Sequence, residues 1–258
     1  MVRKDNLHSL FSPRSVAVVG ATERPFQGSV ALRNLIDHRF AGPIYPVNPR
    51  HDQVFGLRCY PNLKTIPCAP DCVILAIPSR FVVDSLREAG EVGVRAAVIL
   101  SAGFAEVGDE GRRLQDELAA VARHHGIAVC GPNCLGLANL VAPAPIFGAA
   151  IPVDIPRGRI GVVAQSGSIA VALMLVDRLA CSYVVSSGNQ AVVDATDYFE
   201  YLVEDPDTDV IALFLEAIPQ PQSFLAAVAR AHQLRKPVVV CKPGRSARAA
   251  AATMAHTG

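Results

Sequence analysis

The sequence predicts an α/β fold made of two successive units, each with a mainly parallel sheet. Short runs rich in β-branched residues alternate with stretches of helical periodicity, as in strands joined by crossover helices. Most of these runs end in Gly, Pro, Ser or Asn, which is typical of a chain leaving a sheet in a tight turn. With 258 residues, of which 51% are hydrophobic, the chain can form two domains of ordinary size.

The first unit is predicted to contain five parallel strands separated by helices. The strands are short and apolar and occupy residues 15–20, 44–48, 72–77, 95–100 and 127–130. The main helices are predicted over residues 28–38, 79–90 and 109–125. Ligands of a doubly wound sheet bind beyond the carboxyl ends of its strands. Those ends fall at residues 20–22, 47–49, 77–79 and 101–103.

A proline- and alanine-rich stretch, residues 137–157, has little periodicity and predicts a connection between the units. We therefore divide the chain into residues 1–140 and 141–258. In the second unit, strands and helices alternate again, and this order is typical of a flavodoxin-like fold. The strands are predicted at residues 160–164, 182–187, 210–215 and 237–241, and the helices at 167–179, 194–204 and 221–234.

Residues 159–169 are the feature around which the chain is organised. A buried strand leads directly into Gln165-Ser166-Gly167-Ser168, and a helix begins there. The free N–H groups and the positive dipole end of a helix N-terminus attract anions. Two serine hydroxyls beside a glycine add donors where the backbone can come close. The sequence therefore predicts a phosphate site at the junction of the two units.

The ligand of the first unit is not predicted to be NAD. A dinucleotide site needs a G-x-G-x-x-G motif and an acidic residue after the second strand. Here Gly20 is followed next by Gly28, and the second strand ends in Asn48. Arg50 and His51, which come next, could pair with a phosphate, although each alone is better explained as a solvated loop residue. A nucleotide with a ribose phosphate, such as coenzyme A, fits better, and an NAD(P)-dependent oxidoreductase is disfavoured.

Glu216 is a candidate functional carboxylate because it directly follows the apolar strand end Leu-Phe-Leu. Burying it without a partner would be costly, and a histidine is a natural partner. A solvated loop carboxylate is the open alternative. Cys134 lacks the neighbouring pattern of a nucleophile, and Gln165-Ser166-Gly167 lacks the leading glycine of a nucleophile elbow. A structural thiol is therefore expected at Cys134, and a serine hydrolase is disfavoured.

Bulk properties exclude several classes of protein. The net charge of +1 indicates no nucleic-acid partner. The first eight residues lack the apolar core of a signal peptide, and no apolar run reaches the ~18 residues of a membrane span. The seven cysteines are scattered without a CxxC pair, which favours reduced thiols over disulfides or a metal site. We expect a cytoplasmic protein.

Taken together, the motifs resemble those of the NDP-forming acyl-CoA synthetases, in particular the α-type portion of ADP-forming acetate–CoA ligases, which are related to succinyl-CoA synthetase. The resemblance extends over essentially the whole chain. The matching segments are residues 15–25 (SVAVVGATERP), 44–49 (IYPVNP), 101–104 (SAGF), 131–136 (GPNCLG), 165–168 (QSGS), 187–189 (SGN), 236–245 (KPVVVCKPGR) and 256–258 (HTG).

The resemblance implies a Rossmann-like CoA-binding domain followed by a flavodoxin-like, succinyl-CoA synthetase-like domain. It implies that His256 carries a phosphoryl group and that Glu216 orients its imidazole. The phosphoryl oxygens are expected at Ser166, Gly167 and Ser168. The residues expected to line the CoA groove are Gly20, Thr22, Arg24, Val47, Asn48, Pro49, Ile77 and Asn133.

The implied reaction is acyl-CoA + ADP + phosphate ⇌ acid + CoA + ATP. Acyl-CoA and phosphate are the expected ligands of this chain. Mg-ADP or Mg-ATP would bind only to an ATP-grasp domain or β subunit, and these 258 residues contain no such sequence. We therefore expect such a partner and an oligomeric complete enzyme. The alternative is a non-catalytic CoA- or acyl-CoA-binding regulatory module, as in acetyltransferase-fused homologues. His256 and Glu216 favour the enzyme, whereas the missing ATP-grasp sequence favours the regulatory module.

Overall fold

The structure is a computed structural model in which residues 4–243 are described. His256, Thr257, Gly258 and Arg245 lie outside the described residues. Within the described part, two sheets of five and six strands are each flanked by helices, as the alternating pattern predicts.

The first sheet is entirely parallel, and its order is β2-β1-β5-β6-β7. Its inner strands are apolar runs buried on both faces, as expected where helices cover both sides of a sheet. The order reverses between β1 and β5, which creates a crevice at their carboxyl ends. The strands are β1 (Val16–Val19), β2 (Ile44–Val47), β5 (Cys72–Leu75), β6 (Ala96–Ile99) and β7 (Ala128–Cys130).

Helices on both faces cover this sheet, and a small hairpin lies outside it. The hairpin strands β3 (Gln53–Val54) and β4 (Leu57–Arg58) were not predicted, because each is only two residues long. The predicted helices are present with ends shifted by a few residues at most. They are α2 (Gln27–Asp37), α3 (Val82–Glu91), preceded by a 3-10 turn at Ser79–Phe81, and α4 (Asp109–His125).

The second sheet has the order β13-β12-β10-β11-β8-β9, in which β8 is Gly136–Asn139 and β9 is Ala144–Phe147. Its first four strands are parallel, whereas β8 and β9 run antiparallel to their neighbours. The parallel strands are β10 (Arg157–Ala164), β11 (Cys181–Ser186), β12 (Val210–Phe214) and β13 (Val238–Cys241). The helices are α5 (Gly167–Met174), α6 (Ala195–Glu204) and α7 (Pro221–Gln233).

Residues 137–157, predicted from their weak periodicity as a connection between the units, contain regular strands that were not predicted. The chain forms the hairpin β8 (Gly136–Asn139) and β9 (Ala144–Phe147), and both strands are buried. Pro145 lies in the edge strand β9, where a missing backbone donor is tolerated. The division after residue 140 stays a prediction, but residues 136–139 are hydrogen-bonded to the second sheet.

An N-terminal helix that was not predicted, α1 (Lys4–Phe11), joins the two units. The Phe11 ring stacks on Tyr201 with 3.7 Å between centroids and meets Tyr183 edge-on at 5.4 Å. The buried Asn139 side chain donates to the Phe11 carbonyl oxygen at 2.9 Å. One hydrophobic cluster contains buried residues of both sheets and of α1, so the units share a core.

Candidate functional site

The carboxyl ends of the central strands of the second sheet bring three polar segments together. Residues 165–168 follow β10, residues 187–190 follow β11, and Glu216 lies just after β12. Backbone hydrogen bonds tie them: the Gln165 amide donates to Phe214 O at 3.1 Å, and the Ser187 amide donates to Ala164 O at 3.0 Å. The structure thus places Ser166, Gly167, Ser168 and Glu216 at one edge of one sheet.

Gln165 holds Glu216 in place. Its side chain is 5% exposed, and its Oε1 accepts from the Glu216 amide at 2.5 Å and the Ala217 amide at 2.9 Å. Its Nε2 donates to Ala217 O at 2.8 Å. The Gln165 side chain therefore pairs with backbone N–H and C=O groups just beyond β12, as a neighbouring strand would, and this fixes the backbone at Glu216. The Gln-Ser-Gly-Ser motif pointed to this segment, but the role of its glutamine depends on a contact 51 residues away.

The Glu216 carboxyl group is incompletely paired. Its Oε2 is buried and has no hydrogen-bond partner among the described residues. The Lys242 ammonium group binds the Glu216 backbone carbonyl at 2.6 Å. A buried carboxylate oxygen without a donor is costly, and native structures nearly always supply one. The position is thus suited to accept a hydrogen bond from an incoming N–H or O–H group.

The first turn of α5 begins at the same sheet edge as Glu216. Ser166 is the N-cap residue, and its side chain makes no capping hydrogen bond. The first N–H groups of a helix have no intrahelical partner, and the helix dipole is positive there. Ser166 and Gly167 are half-buried, while Ser168 is exposed. The turn can therefore hold an anion at the surface.

In the first unit, Gly20 occupies the crevice where the strand order reverses. Its φ is +87°, and a Cβ there would lie 2.3 Å from the carbonyl oxygen of Ala76 at the end of β5. Only glycine fits this close approach. Ile77, which follows, is half-buried, and its carbonyl accepts from the Ser101 hydroxyl at 2.5 Å. Gly20 and Ile77 thus lie together at the predicted ligand edge.

Several predicted groove residues serve the loops themselves. The Asn48 amide group donates to Ala21 O at 2.8 Å and accepts from the Arg50 amide at 3.0 Å. Val47 is 3% exposed and its side chain belongs to the core, so its place at the groove stays a prediction that only its backbone could fulfil. Its carbonyl accepts from the Gly20 amide at 2.9 Å. These contacts join the ends of β1 and β2.

The remaining residues predicted for this groove are accessible. Thr22 is half-buried and its hydroxyl accepts from the Arg24 amide at 3.2 Å, which shapes the turn after β1. Arg24, Pro49, Arg50 and His51 are exposed. Two guanidinium groups and one imidazole ring are therefore accessible on the turns that follow β1 and β2.

Asn133 lies where the two units meet. It adopts a left-handed conformation with φ 55°, and its Nδ2 donates to Asn189 Oδ1 at 3.3 Å. A Cβ on Gly188 would lie 2.4 Å from Pro132 O, so the turns after β7 and β11 are in direct contact. Cys134, next to Asn133, is buried. Burial raises the pKa of its thiol well above the ordinary value, so it is not an activated nucleophile.

Two further observations concern the described residues as a whole. Between residues 4 and 243, no three His, Cys, Asp or Glu side chains are grouped so that they could hold a metal ion. No helix in that range is both long enough and apolar enough to cross a lipid bilayer.

Comparison with known protein families assigns both units. A CoA binding domain model matches residues 14–139, and a model of the succinyl-CoA ligase like flavodoxin domain matches residues 157–258. The chain is 42% identical over 256 residues to a trans-feruloyl-CoA synthase from an unknown prokaryotic organism, covering 96% of this chain and 36% of that protein. It is 34% identical over 261 residues to the α subunit of acetate–CoA ligase [ADP-forming] I from Pyrococcus furiosus, covering 98% and 56%.

A solved structure shows the same architecture. The dinucleotide-forming acetyl-coenzyme A synthetase 1 of Candidatus Korarchaeum cryptofilum, in complex with phosphate and ADP, superposes with a TM-score of 0.90 at 37% identity. The match covers 98% of this chain and 55% of that chain. This chain therefore spans only part of the length of these relatives.

The two matched units define an α/β protein with a CoA binding domain fold and a succinyl-CoA ligase like flavodoxin domain, which confirms the predicted fold class. Within that class, the chain is a homologue of the ADP-forming acetate–CoA ligases and corresponds to their α-type portion. The resemblance inferred from its motifs is confirmed.

Proposed function

We propose that this chain provides the CoA-binding and phosphoryl-carrying part of an ADP-forming acid–CoA ligase. The net reaction is acyl-CoA + ADP + phosphate ⇌ acid + CoA + ATP. The observation that carries the proposal is the buried Oε2 of Glu216, which has no hydrogen-bond partner among residues 4–243 and lies at the same sheet edge as the N-terminus of α5. This arrangement suits an imidazole ring next to a bound phosphoryl group.

The proposed reaction has three transfers. A phosphate oxygen attacks the thioester carbonyl, the C–S bond breaks, and CoA leaves as the thiol, so that an acyl phosphate forms. A nitrogen of His256 then attacks phosphorus, and the carboxylate leaves. Finally, an oxygen of the ADP β-phosphate attacks the same phosphorus, the P–N bond breaks, and ATP and free His256 result. Such transfers depend mainly on positioning and on charge stabilisation.

The described residues supply both requirements. Glu216 accepts the N–H of one imidazole nitrogen, which leaves the other nitrogen with its lone pair free to attack. The backbone amides at Gly167 and Ser168, with the two serine hydroxyls, hold the phosphoryl oxygens. His256 itself lies outside the described residues; its assignment is supported by its H-T-G context within the matched flavodoxin-like domain.

CoA is proposed to bind at the crevice of the first sheet. Gly20 allows the close backbone approach there, and Arg24, Arg50 and His51 are available for its phosphates. Asn133 is proposed to face the thioester end, because it lies at the contact between the units. An ATP-grasp domain or β subunit would bind Mg-ADP, and we propose an oligomeric complete enzyme in the cytoplasm.

The proposed carrier is tested with radiolabelled inorganic phosphate. The chain is incubated with the label and acetyl-CoA or feruloyl-CoA, and acid-labile, base-stable protein label is measured. We expect labelling of the wild-type chain that is lost in His256→Ala. His232→Ala is the matched control, since His232 is an exposed histidine in the last turn of α7. Label that survives His256→Ala would reject the assigned carrier.

The CoA site is tested separately by calorimetry with CoA and with CoA lacking its 3′-phosphate. We expect CoA to bind and the dephosphorylated compound to bind more weakly, with Arg24→Ala reducing CoA affinity. If neither compound binds, the CoA-binding premise is wrong. If CoA binds and no acyl-CoA supports labelling, the chain is better explained as a regulatory binding module.

A further inference from the structure

A polar network that includes the predicted site residue Asn133 connects the two units. Glu106 lies in a 3-10 turn (Ala105–Val107) that follows β6, at one predicted ligand edge. Its Oε1 accepts from the Gly103 amide at 2.5 Å and the Phe104 amide at 3.1 Å. Its Oε2 accepts from Asn189 Nδ2 at 2.5 Å. One carboxylate therefore binds the β6 turn of the first unit and the β11 turn of the second.

Asn189 is the centre of this network, and every polar atom of its side chain is used. Besides Glu106, its Nδ2 donates to Gln115 Oε1 at 3.0 Å, and its Oδ1 accepts from Asn133 Nδ2 at 3.3 Å. Its backbone amide donates to Pro132 O at 2.9 Å. Asn189 thus fixes the relative position of the turns after β6, β7 and β11. The hydrogen bond from Asn189 to the Glu106 carboxylate is made to an ionised group, and such bonds are stronger than neutral ones.

The charge state of Glu106 favours its hydrogen bonds to Asn189 and to the β6 turn, a connection between the units that we call the tie. Burial acts to raise the pKa of its carboxyl group, but the hydrogen bonds from Asn189 and from the Gly103 and Phe104 amides outweigh burial and hold the pKa below its ordinary value. The carboxylate is therefore ionised at neutral pH. In that form both of its oxygens are free to accept all three hydrogen bonds.

The turns joined by these hydrogen bonds are adjacent in the chain to both proposed sites, the CoA site of the first unit and the phosphoryl site of the second (below, the two half-sites). Asn133 and the β6 turn belong to the edge proposed for the thioester end of CoA. The β11 turn is continuous with Ser186, whose hydroxyl accepts from the Leu135 amide at 3.1 Å. Leu135 in turn packs against the first turn of α5, since its Cδ1 lies 3.0 Å from the Cβ position of Gly167.

We infer that Glu106 and Asn189 are positioning residues that hold the CoA half-site and the phosphoryl half-site in register for transfer between them. This inference rests on the proposed function. Neither residue needs to contact the reacting atoms. A displacement of about 1 Å between reacting groups can reduce a rate about 100-fold. Loss of the tie should therefore slow transfer while CoA affinity, which depends on the first unit, is retained.

Three variants test the tie. In Glu106→Gln, the new amide oxygen can still accept from the Gly103 amide, but its NH2 group then faces the NH2 group of Asn189. In Asn189→Asp, two carboxylates face each other. In the double variant Glu106→Gln/Asn189→Asp, the new glutamine donates to the new carboxylate, which still accepts from Asn133. The side-chain amide of Gln115 must turn over so that its NH2 group, in place of its Oε1, faces that carboxylate, at the cost of the 3.4 Å hydrogen bond from the Ala105 amide. The donor and the acceptor are thereby exchanged, and the net charge is preserved.

The measurements are the initial rate of label incorporation from inorganic phosphate with acetyl-CoA or feruloyl-CoA, and the CoA dissociation constant. We expect each single variant to lose at least about 10-fold in rate with CoA affinity changed less than about twofold, and the double variant to recover most of the rate. Single variants that label at the wild-type rate would overturn the inference. So would an equal loss of CoA affinity, or a double variant that stays slow.

Failure of the proposed function gives a different result, because the wild-type chain itself would then take up no label. In that case, hydrogen exchange at the amides of Asn189 and Ala191 tests whether Glu106 and Asn189 stabilise the contact between the units. These amides donate to Pro132 O and Gly131 O across the contact between the units. Faster exchange in both single variants and protection in the double variant support the tie; wild-type protection in the single variants overturns it.

Discussion

Replacing Gly188 with alanine should weaken the contact between the two units through a clash that no side chain can relieve. A Cβ at this position would lie 2.4 Å from Pro132 O, 2.6 Å from Asn133 O and 2.8 Å from Asn133 C. These are backbone atoms of the facing turn, so one of the two turns must move. The residue also has φ +60°, a conformation that disfavours residues with a Cβ.

Two costs and one gain set the expected loss in the free energy of unfolding. The left-handed conformation costs about 1–2 kcal/mol for a residue other than glycine. Displacing a packed backbone segment costs about 1–3 kcal/mol more. A gain of about 0.4–1 kcal/mol comes from the reduced entropy of the unfolded chain. The free energy of unfolding of Gly188→Ala should therefore fall by roughly 2–4 kcal/mol.

Gly56→Ala is the matched control, because Gly56 has φ +74° but no atom within 4 Å of its Cβ position. It has the conformational strain without the clash, so we expect a loss of about 1 kcal/mol or less. Urea unfolding followed by circular dichroism gives both values under the same conditions. Equal losses in the two variants would refute the contact between the turns after β7 and β11 as the cause.

Three other outcomes are expected. Glu216→Gln should leave the free energy of unfolding unchanged or raise it by up to about 1 kcal/mol, because a buried carboxylate oxygen with no partner among the described residues is removed. Phosphate labelling of this variant should fall at least about 10-fold. A strongly destabilised variant would contradict the unpaired state of that oxygen. The lowered pKa of Glu106 means that its contribution to stability is present above its unfolded-state pKa and is lost as the pH falls through its folded-state pKa. The urea midpoint of wild type minus that of Glu106→Gln should therefore shrink from about pH 6 to about pH 3, a range that extends from above to below an ordinary Glu pKa, and a constant difference would contradict this. Of the seven thiols, only Cys68 and Cys241 are exposed, so a thiol reagent should modify two quickly in the folded protein and none quickly in Cys68→Ser/Cys241→Ser; a third fast thiol would contradict the burial of the others.

Local signals explain which elements were predicted well. The helix α4 begins with Asp109 and Glu110, ends with Arg123, His124 and His125, and is followed by a glycine, so its ends matched the prediction. These charges complement the helix dipole at both ends. Pro143 and Pro145 lack the backbone donor that a strand needs, so the sequence pattern disfavoured a strand there and the hairpin β8–β9 was missed.

The candidate site divides in the same way. The strand-end positions of Gly20, Ser166 and Glu216 follow from the alternation of strands and helices, since carboxyl ends of parallel strands share one edge. The side-chain partners of those positions do not follow. Gln165 bonds to the backbone at Glu216, and Glu106 bonds to Asn189 across 83 residues of chain. Val47 was predicted at the groove, and the pleat of β2 directs its side chain into the core.

The sequence by itself therefore determined the α/β class, the order of the two units, and the turns where ligands are expected, because hydrophobic periodicity and turn residues act over a few neighbouring positions. Only the tertiary structure decided which of those turns touch, which carboxylate is left without a partner, and which is fully bonded. Those properties depend on how sheets and helices pack, and packing brings together residues whose separation in the chain carries no local signal.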